Sequence, residues 1–173
     1  MDILKFIKMA NKLKSIKRKG WIAKAKVEEK DAESVADHSY QTALITMLLA
    51  DMKGYDSCKA VRLALIHDLA EAIVGDYMPE EISNKRKHEE ENDAIDNMLA
   101  LLPINIREEY KQLWLEYINN TSKEADLVHQ IDKLEMIIQA DEYKHKGYSV
   151  DEFYASINLI KDKDLRDILN NLK

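Results

Sequence analysis

The stretch from Val61 to Pro79, VRLALIHDLAEAIVGDYMP, leaves the chain few ways to fold. Val61, Leu63, Ala64, Leu65, Ile66, Leu69, Ala72 and Ile73 predict one apolar helix that closes on a Gly75-Asp76 turn. His67, Asp68 and Glu71 interrupt that greasy surface within about one turn. Burying such groups costs several kcal/mol each unless they are paired or bound to a metal. The pattern therefore points to a helix packed in a core around a cation.

Glycine and proline are too scarce to punctuate strands: 4 Gly and 2 Pro in 173 residues, replaced by helix formers. This predicts an all-α fold, and the length suits one domain, residues 1–173, with the motif-bearing part at about 13–154. A formal net charge of −6 argues against a nucleic-acid coat, which needs a basic face to displace counterions from phosphates. The single cysteine, Cys58, has no internal disulfide partner, and the sequence contains neither a secretory apolar segment nor an apolar run near 18 residues. The expectation is a cytoplasmic protein with no membrane partner.

The remaining helices follow from spacing and caps. A first helix is expected from Asp2 to Ile16, with Ile3, Phe6, Ile7, Ala10, Leu13 and Ile16 as its core stripe. Gly20 breaks the chain at Arg18-Lys19-Gly20-Trp21, placing an arginine fork that suits phosphate near an indole that suits a sugar or base. The alternative is a surface arginine and a partly buried tryptophan. Residues Ile22 to Glu33 read as an irregular connection, with a short extended piece at Ala23–Val27. Ser34 and Asp37 form a capping box, which puts His38 in the first turn of a helix running through Met52. On spacing alone His38 is either a satisfied core histidine or a ligand.

Further helices are expected at Ile82–Leu102, stopped by Pro103, at Ile106–Ile118, from Ser122 to about Lys146, and at Val150–Leu159 and Asp164–Leu172. Asp132 adjoins the apolar stripe of the long helix after Ser122, with Glu135 on the same side, so it is either paired locally or a ligand. His88, among charged neighbours, reads as solvated, and His129 and His145 have no special context. His38, His67, Asp68 and Asp132 then form a candidate ligand set spread over three helices. Mixed imidazole and carboxylate ligation without thiolate suits Mn, Fe, Co, Ni or Zn in an open site.

The order His38, His67-Asp68, Asp132 resembles the H…HD…D pattern of the HD-domain metal-dependent phosphohydrolases, and in particular their small 5′-deoxynucleotidase branch. The resemblance rests on RKGW at Arg18, ESVADHSY ending at Tyr40, RLALIHDLAEAIVGDYMP ending at Pro79, and QIDKLEMIIQADEY around Asp132. It implies that His38, His67, Asp68 and Asp132 hold a divalent metal (Mn, Co, Mg, Fe, Ni or Zn). Glu71 and Asp76 match the acidic pair that completes the catalytic centre. Arg18 matches the arginine that orients the substrate phosphate, Trp21 the indole shaping the sugar pocket, and Tyr77, Met78 and Pro79 the segment bordering the nucleotide. In the bacterial YfbR-type members the tryptophan follows the arginine directly, whereas here Lys19 and Gly20 intervene.

The implied activity is release of phosphate from deoxyribonucleoside 5′-monophosphates, with a homodimer implied by the same resemblance. The chemistry suits these residue types: Arg18 to hold non-bridging oxygens, Asp68 to ligate and help position the nucleophile, and Glu71 or Asp76 to protonate the leaving 5′-oxygen or anchor a second cation. The alternatives are a related hydrolase acting on a ribonucleotide, a cyclic nucleotide or a nucleoside triphosphate, and a non-catalytic nucleotide-binding module.

Overall fold

A computed structural model describes residues 1–78 and 80–172. Among these residues the secondary structure is helical, save for an isolated antiparallel bridge between Lys17 and Ser34. The α-helices are α1 (Ile3–Ala10), α2 (Lys19–Ala23), α3 (Val35–Lys53), α4 (Ser57–Ile66), α5 (Glu71–Val74), α6 (Asn84–Leu99), α7 (Ile104–Ile118), α8 (Lys123–His145) and α9 (Lys163–Leu169). Short 3₁₀ helices follow α1 at Asn11–Lys14 and follow α8 at Asp151–Leu159.

Caps fix the boundaries where side chains can satisfy orphan backbone groups. The Ser34–Asp37 capping box starts α3, and the Asp56 and Ser122 side chains accept from the first turns of α4 and α8. Gly54, at φ +64°, ends α3 in a left-handed conformation that a side chain would strain.

The helices α3, α4 and α8 pack on one another and form the frame. One apolar cluster joins α4, α6 and α7 through Leu63, Ile95, Leu99 and Trp114. A second joins α8 to α9 through Ile131, Leu134, Ile137 and Leu165. A third gathers Trp21, Ala25, Val27, Tyr143 and Val150 beneath the loop between α2 and α3.

Several expectations are corrected. The first helix tightens into a 3₁₀ turn after Ala10, and of its predicted core stripe only Leu13 is buried, while Ile3 and Ile7 are exposed. Ala23–Val27 is not extended: α2 reaches Ala23, and Lys26 adopts a left-handed φ of 59°. The apolar side chains Tyr40, Leu44, Leu48 and Met52 face outward from α3, which instead buries Thr42, Thr46, Leu49 and Ala50. The stretch read as one helix from Val61 is two. Beyond α4, Leu69, Glu71, Ala72 and Ile73 donate to the carbonyls three residues back, so the chain tightens at 67–70 before α5.

Candidate metal centre

The tightened turn decides where His67 and Asp68 point. Consecutive residues of a regular helix diverge by about 100°. Here the His67 Nε2 and Asp68 Oδ2 atoms lie 3.1 Å apart. From the first turn of α3, His38 brings its Nε2 to 3.3 Å from His67 Nε2 and 3.6 Å from Asp68 Oδ2. From the middle of α8, Asp132 Oδ1 reaches 3.2 Å from His38 Nε2. Ligand atoms bound about 2.1 Å from one ion stand about 3 to 3.5 Å from each other, so the spacing fits a shared divalent cation.

Both imidazoles are prepared for that role. His67 Nδ1 pairs with the Ala64 carbonyl at 2.5 Å and His38 Nδ1 with the Glu135 carboxylate at 2.5 Å. Each partner accepts a hydrogen bond from Nδ1–H and leaves the Nε2 lone pair for a metal. Two lone pairs facing at 3.3 Å repel unless a positive charge lies between them. Burial and the Arg18 charge push His38 down, yet its hydrogen bonds to Asp132 and Glu135 outweigh both and carry its pKa up to about 10. A proton thus answers the same demand for positive charge that a metal ion meets.

The carboxylates divide into two groups. Burial alone would raise Asp68, but His67, His38 and Arg18 hold it below the usual carboxylate range. Asp132 is likewise held low against burial, by Lys133, His38 and Arg18. Glu71, 3% exposed in the first turn of α5, goes the other way, pushed well up by burial and then by the charges of Asp68 and Asp76. Its Oε2 is buried with no hydrogen-bond partner among the described residues. An orphan carboxyl oxygen beside the cluster is what a proton, a water or a ligand would satisfy.

Arg18, just before α2, places Nη1 3.4 Å from Asp68 Oδ2. Asp76 accepts the Lys19 backbone N–H at 2.5 Å, tying the segment after α5 to the start of α2. Both residues line a cavity of about 650 Å³ that also includes His67, Asp68, Glu71 and Asp132. That volume accommodates a nucleotide-sized ligand, whereas an ion and a phosphate alone would leave most of it filled with water. Tyr77 and Met78 line it too, and the Tyr77 hydroxyl donates to Glu90. Pro79 lies outside the described residues.

Trp21 sits in α2 rather than in a loop and is 1% exposed. Its ring stacks on Phe153 at 4.2 Å and its Nε1–H donates to Glu33 at 2.7 Å, so it forms part of the cavity wall as a buried plate.

The sequence left other residues in and around the cavity unassigned. Glu135 and Glu33 stand behind His38, and their ligand atoms lie within 4.8 Å of one another and of His38. Burial first, and then Glu135, push Glu33 up to about 7 against the pull of Arg18, His38 and the Trp21 indole. Lys87 and Glu91 on α6, separated by 3.5 Å, face the same space, so the charged run there is not wholly solvated. His88 is exposed at its rim. His129 stacks on Tyr117 at 4.2 Å and pairs with the Tyr117 carbonyl at 2.8 Å. Glu135 had a signal, a carboxylate one turn from Asp132 on the same stripe; Glu33 had none.

Comparison with known proteins agrees with this geometry. The family model described as HD domain matches residues 10–173. The chain belongs to the HD domain family. The human protein named 5′-deoxynucleotidase HDDC2 is 40% identical over 160 residues, covering 90% of this chain and 76% of the human one. Its Xenopus laevis counterpart of the same name is 43% identical, covering 90% and 77%. Among solved structures, a conserved hypothetical protein from Pyrococcus furiosus superimposes with a TM-score of 0.82 at 37% identity, covering 98% of each chain. A predicted metal-dependent phosphohydrolase from Magnetospirillum magnetotacticum gives 0.76 at 25% identity, covering 98% of this chain and 88% of that one. Within this HD domain the His, Asp and Glu cluster could hold a metal ion. No helix among the described residues is long and apolar enough to cross a membrane.

Proposed function

We propose that this HD domain, comprising residues 1–173, is a metal-dependent 5′-deoxynucleotidase that releases phosphate from deoxyribonucleoside 5′-monophosphates. The observation that carries the reading is the convergence of His38, His67, Asp68 and Asp132 with Arg18 at 3.4 Å from Asp68, at the wall of a nucleotide-sized cavity. Relatives named 5′-deoxynucleotidase, up to 43% identical across 90% of the chain, support the substrate class.

His38, His67, Asp68 and Asp132 would hold the ion, and their mixed nitrogen and oxygen donors suit Mn, Fe, Co, Ni or Zn, with Mg less well matched to imidazole. When bound, such an ion supplies Lewis acidity, lowering the pKa of water toward neutrality and polarising a phosphoryl oxygen. Arg18 binds the non-bridging oxygens through its fork and stabilises the charge that spreads over them during transfer. Asp68 stays ionised and orients the attacking water. Glu71 or Asp76 would serve the leaving 5′-oxygen with a proton or with a second cation, a reading supported by the unpartnered buried oxygen of Glu71 and by the bond of Asp76 to the start of α2. Trp21, Tyr77 and Met78 form the wall on the nucleoside side. A homodimer accompanies this reading, with the outward stripe Tyr40, Leu44, Leu48 and Met52 on α3 as the face available to a second copy, and light scattering tests it.

The activity is tested by phosphate release from deoxy- and ribonucleoside 5′-monophosphates in Mn, Co, Mg and EDTA, with Asp68→Ala in parallel. Metal-dependent release from the deoxy set, lost in the variant, is expected. Equal turnover of the ribo set, or release only from cyclic nucleotides or triphosphates, replaces the substrate. Nucleotide binding without turnover in every metal makes the protein a binding module.

A further inference from the structure

Glu33 takes no part in the ligand set, yet its backbone and side chain both engage residues of the cavity wall, Arg18 and Trp21. Its carbonyl accepts the Arg18 N–H at 3.1 Å. Its own N–H donates to the Tyr143 hydroxyl at 2.9 Å, which in turn donates to the Asp31 carbonyl at 3.2 Å. The carboxylate Oε1 accepts the Trp21 indole N–H at 2.7 Å and stands 4.0 Å from Arg18 Nε. One oxygen therefore touches the indole and faces the guanidinium. With Asp68 at 3.4 Å from Nη1, the Arg18 fork is held between two carboxylates, leaving donors free for a ligand oxygen.

The arrangement is costly, which argues that the charge has a use. Glu33 and Glu135 bring two carboxylates within 4.8 Å of each other behind His38, where like charges repel. A glutamine at position 33 would accept the same indole hydrogen bond without that repulsion. Only the pairing with Arg18 needs the carboxylate.

We propose that Glu33 is a positioning residue for phosphate recognition, its carboxylate fixing Arg18 and Trp21 in the cavity wall beside the metal cluster. This rests on the reading of Arg18 as the phosphate-binding arginine. The two carboxylates behind His38 then divide the work: Glu135 orients a metal ligand, and Glu33 orients the arginine.

The test uses the full chain carrying Glu33→Gln or Glu33→Ala, with Arg18→Ala as control, each checked for wild-type helicity by circular dichroism. Orthophosphate affinity of the Mn-loaded protein is measured by calorimetry, Mn affinity separately, and the Trp21 indole N–H by NMR, assigned with Trp21→Phe. Glu33→Gln is expected to keep the indole signal in place while weakening orthophosphate binding by about tenfold, because misplaced binding groups lose affinity steeply. Glu33→Ala is expected to shift the indole signal as well, with Mn affinity held within about twofold in both variants, in contrast to a true metal-orienting residue. Orthophosphate affinity unchanged in both Glu33 variants but weakened in Arg18→Ala overturns the proposal and spares the reading of Arg18. An unchanged affinity in Arg18→Ala overturns both. Mn affinity falling in step with phosphate affinity also overturns it, by placing Glu33 among the groups that support the metal.

Discussion

The Nε2 atoms of His38 and His67 face each other at 3.3 Å, although His38 lies in α3 and His67 in the turn after α4, and each ring is turned by a hydrogen bond to its other nitrogen. Neutral rings in these tautomers present two lone pairs to one point. A histidine followed by an aspartate in the turn after α4 thus points to a shared cation.

Metal binding should therefore stabilise the fold measurably. With Mn or Co at about 100 times its dissociation constant, the native state gains about 2.7 kcal/mol, seen as a rise in Tm that EDTA reverses. His67→Ala should abolish the metal-dependent part of that rise. A variant whose Tm still responds fully to metal would contradict the ligand assignment.

The Glu135 contact to His38 predicts a graded effect on metal affinity. Glu135→Ala leaves the His38 Nδ1–H without its acceptor and should weaken metal binding by about 10- to 100-fold. Glu135→Gln retains an acceptor and should cost less. Titration of the metal-free protein with Mn distinguishes the two, and equal affinities in wild type and Glu135→Ala would refute the orienting role.

Arg18 should be irreplaceable by lysine. A hydrogen bond to a charged group contributes about 1.5 to 3 kcal/mol, so Arg18→Ala should lower kcat/KM on a deoxyribonucleoside monophosphate by roughly 10- to 150-fold. Arg18→Lys keeps the charge but loses the fork and should recover only a small part of that loss. Steady-state kinetics across the three proteins provides the check.

Away from the site, Lys53 at the end of α3 clamps the start of α9 through Asp162 at 2.9 Å and Asp164 at 2.6 Å. Burial works to raise Asp162, but Lys53 and the Leu165 and Asp164 backbone N–H groups win and lower its pKa. A carboxylate with a lowered folded pKa stabilises above its unfolded value and loses that contribution as pH falls through the folded value. Asp162→Asn preserves the cap acceptor and removes the charge, so it should cost below about 1 kcal/mol at pH 7, a difference that fades below about pH 4. Denaturant melts of both proteins at the two pH values measure it.

The caps and the punctuation were legible because they are local. Ser34 and Asp37, Asp56, Gly54 and Ser122 each act on backbone groups within a few residues, so neighbours in the chain suffice to place the ends of α3, α4 and α8. The candidate ligand residues stood out for a different reason. His67 and Asp68 are chemically out of place on an apolar helix, and His38 and Asp132 complete a family order.

Distance along the chain limited the rest. Glu135 meets His38 across 97 residues and Arg18 meets Asp68 across 50, and no periodicity reports which side chain will face which. Periodicity identifies a uniform apolar face but not what covers it, which is why Ile7 and Leu48 are exposed while Thr42 and Thr46 are buried. Residue types, their order and their local caps thus specified an all-helical chain carrying a candidate metal-ligand set. The convergence of that set on one point, through the tightened turn at 67–70, and the seating of Glu33 and Trp21 against Arg18, arose from packing. Local hydrogen bonds act over one helical turn, whereas the position of a buried side chain is the joint solution of every element that encloses it.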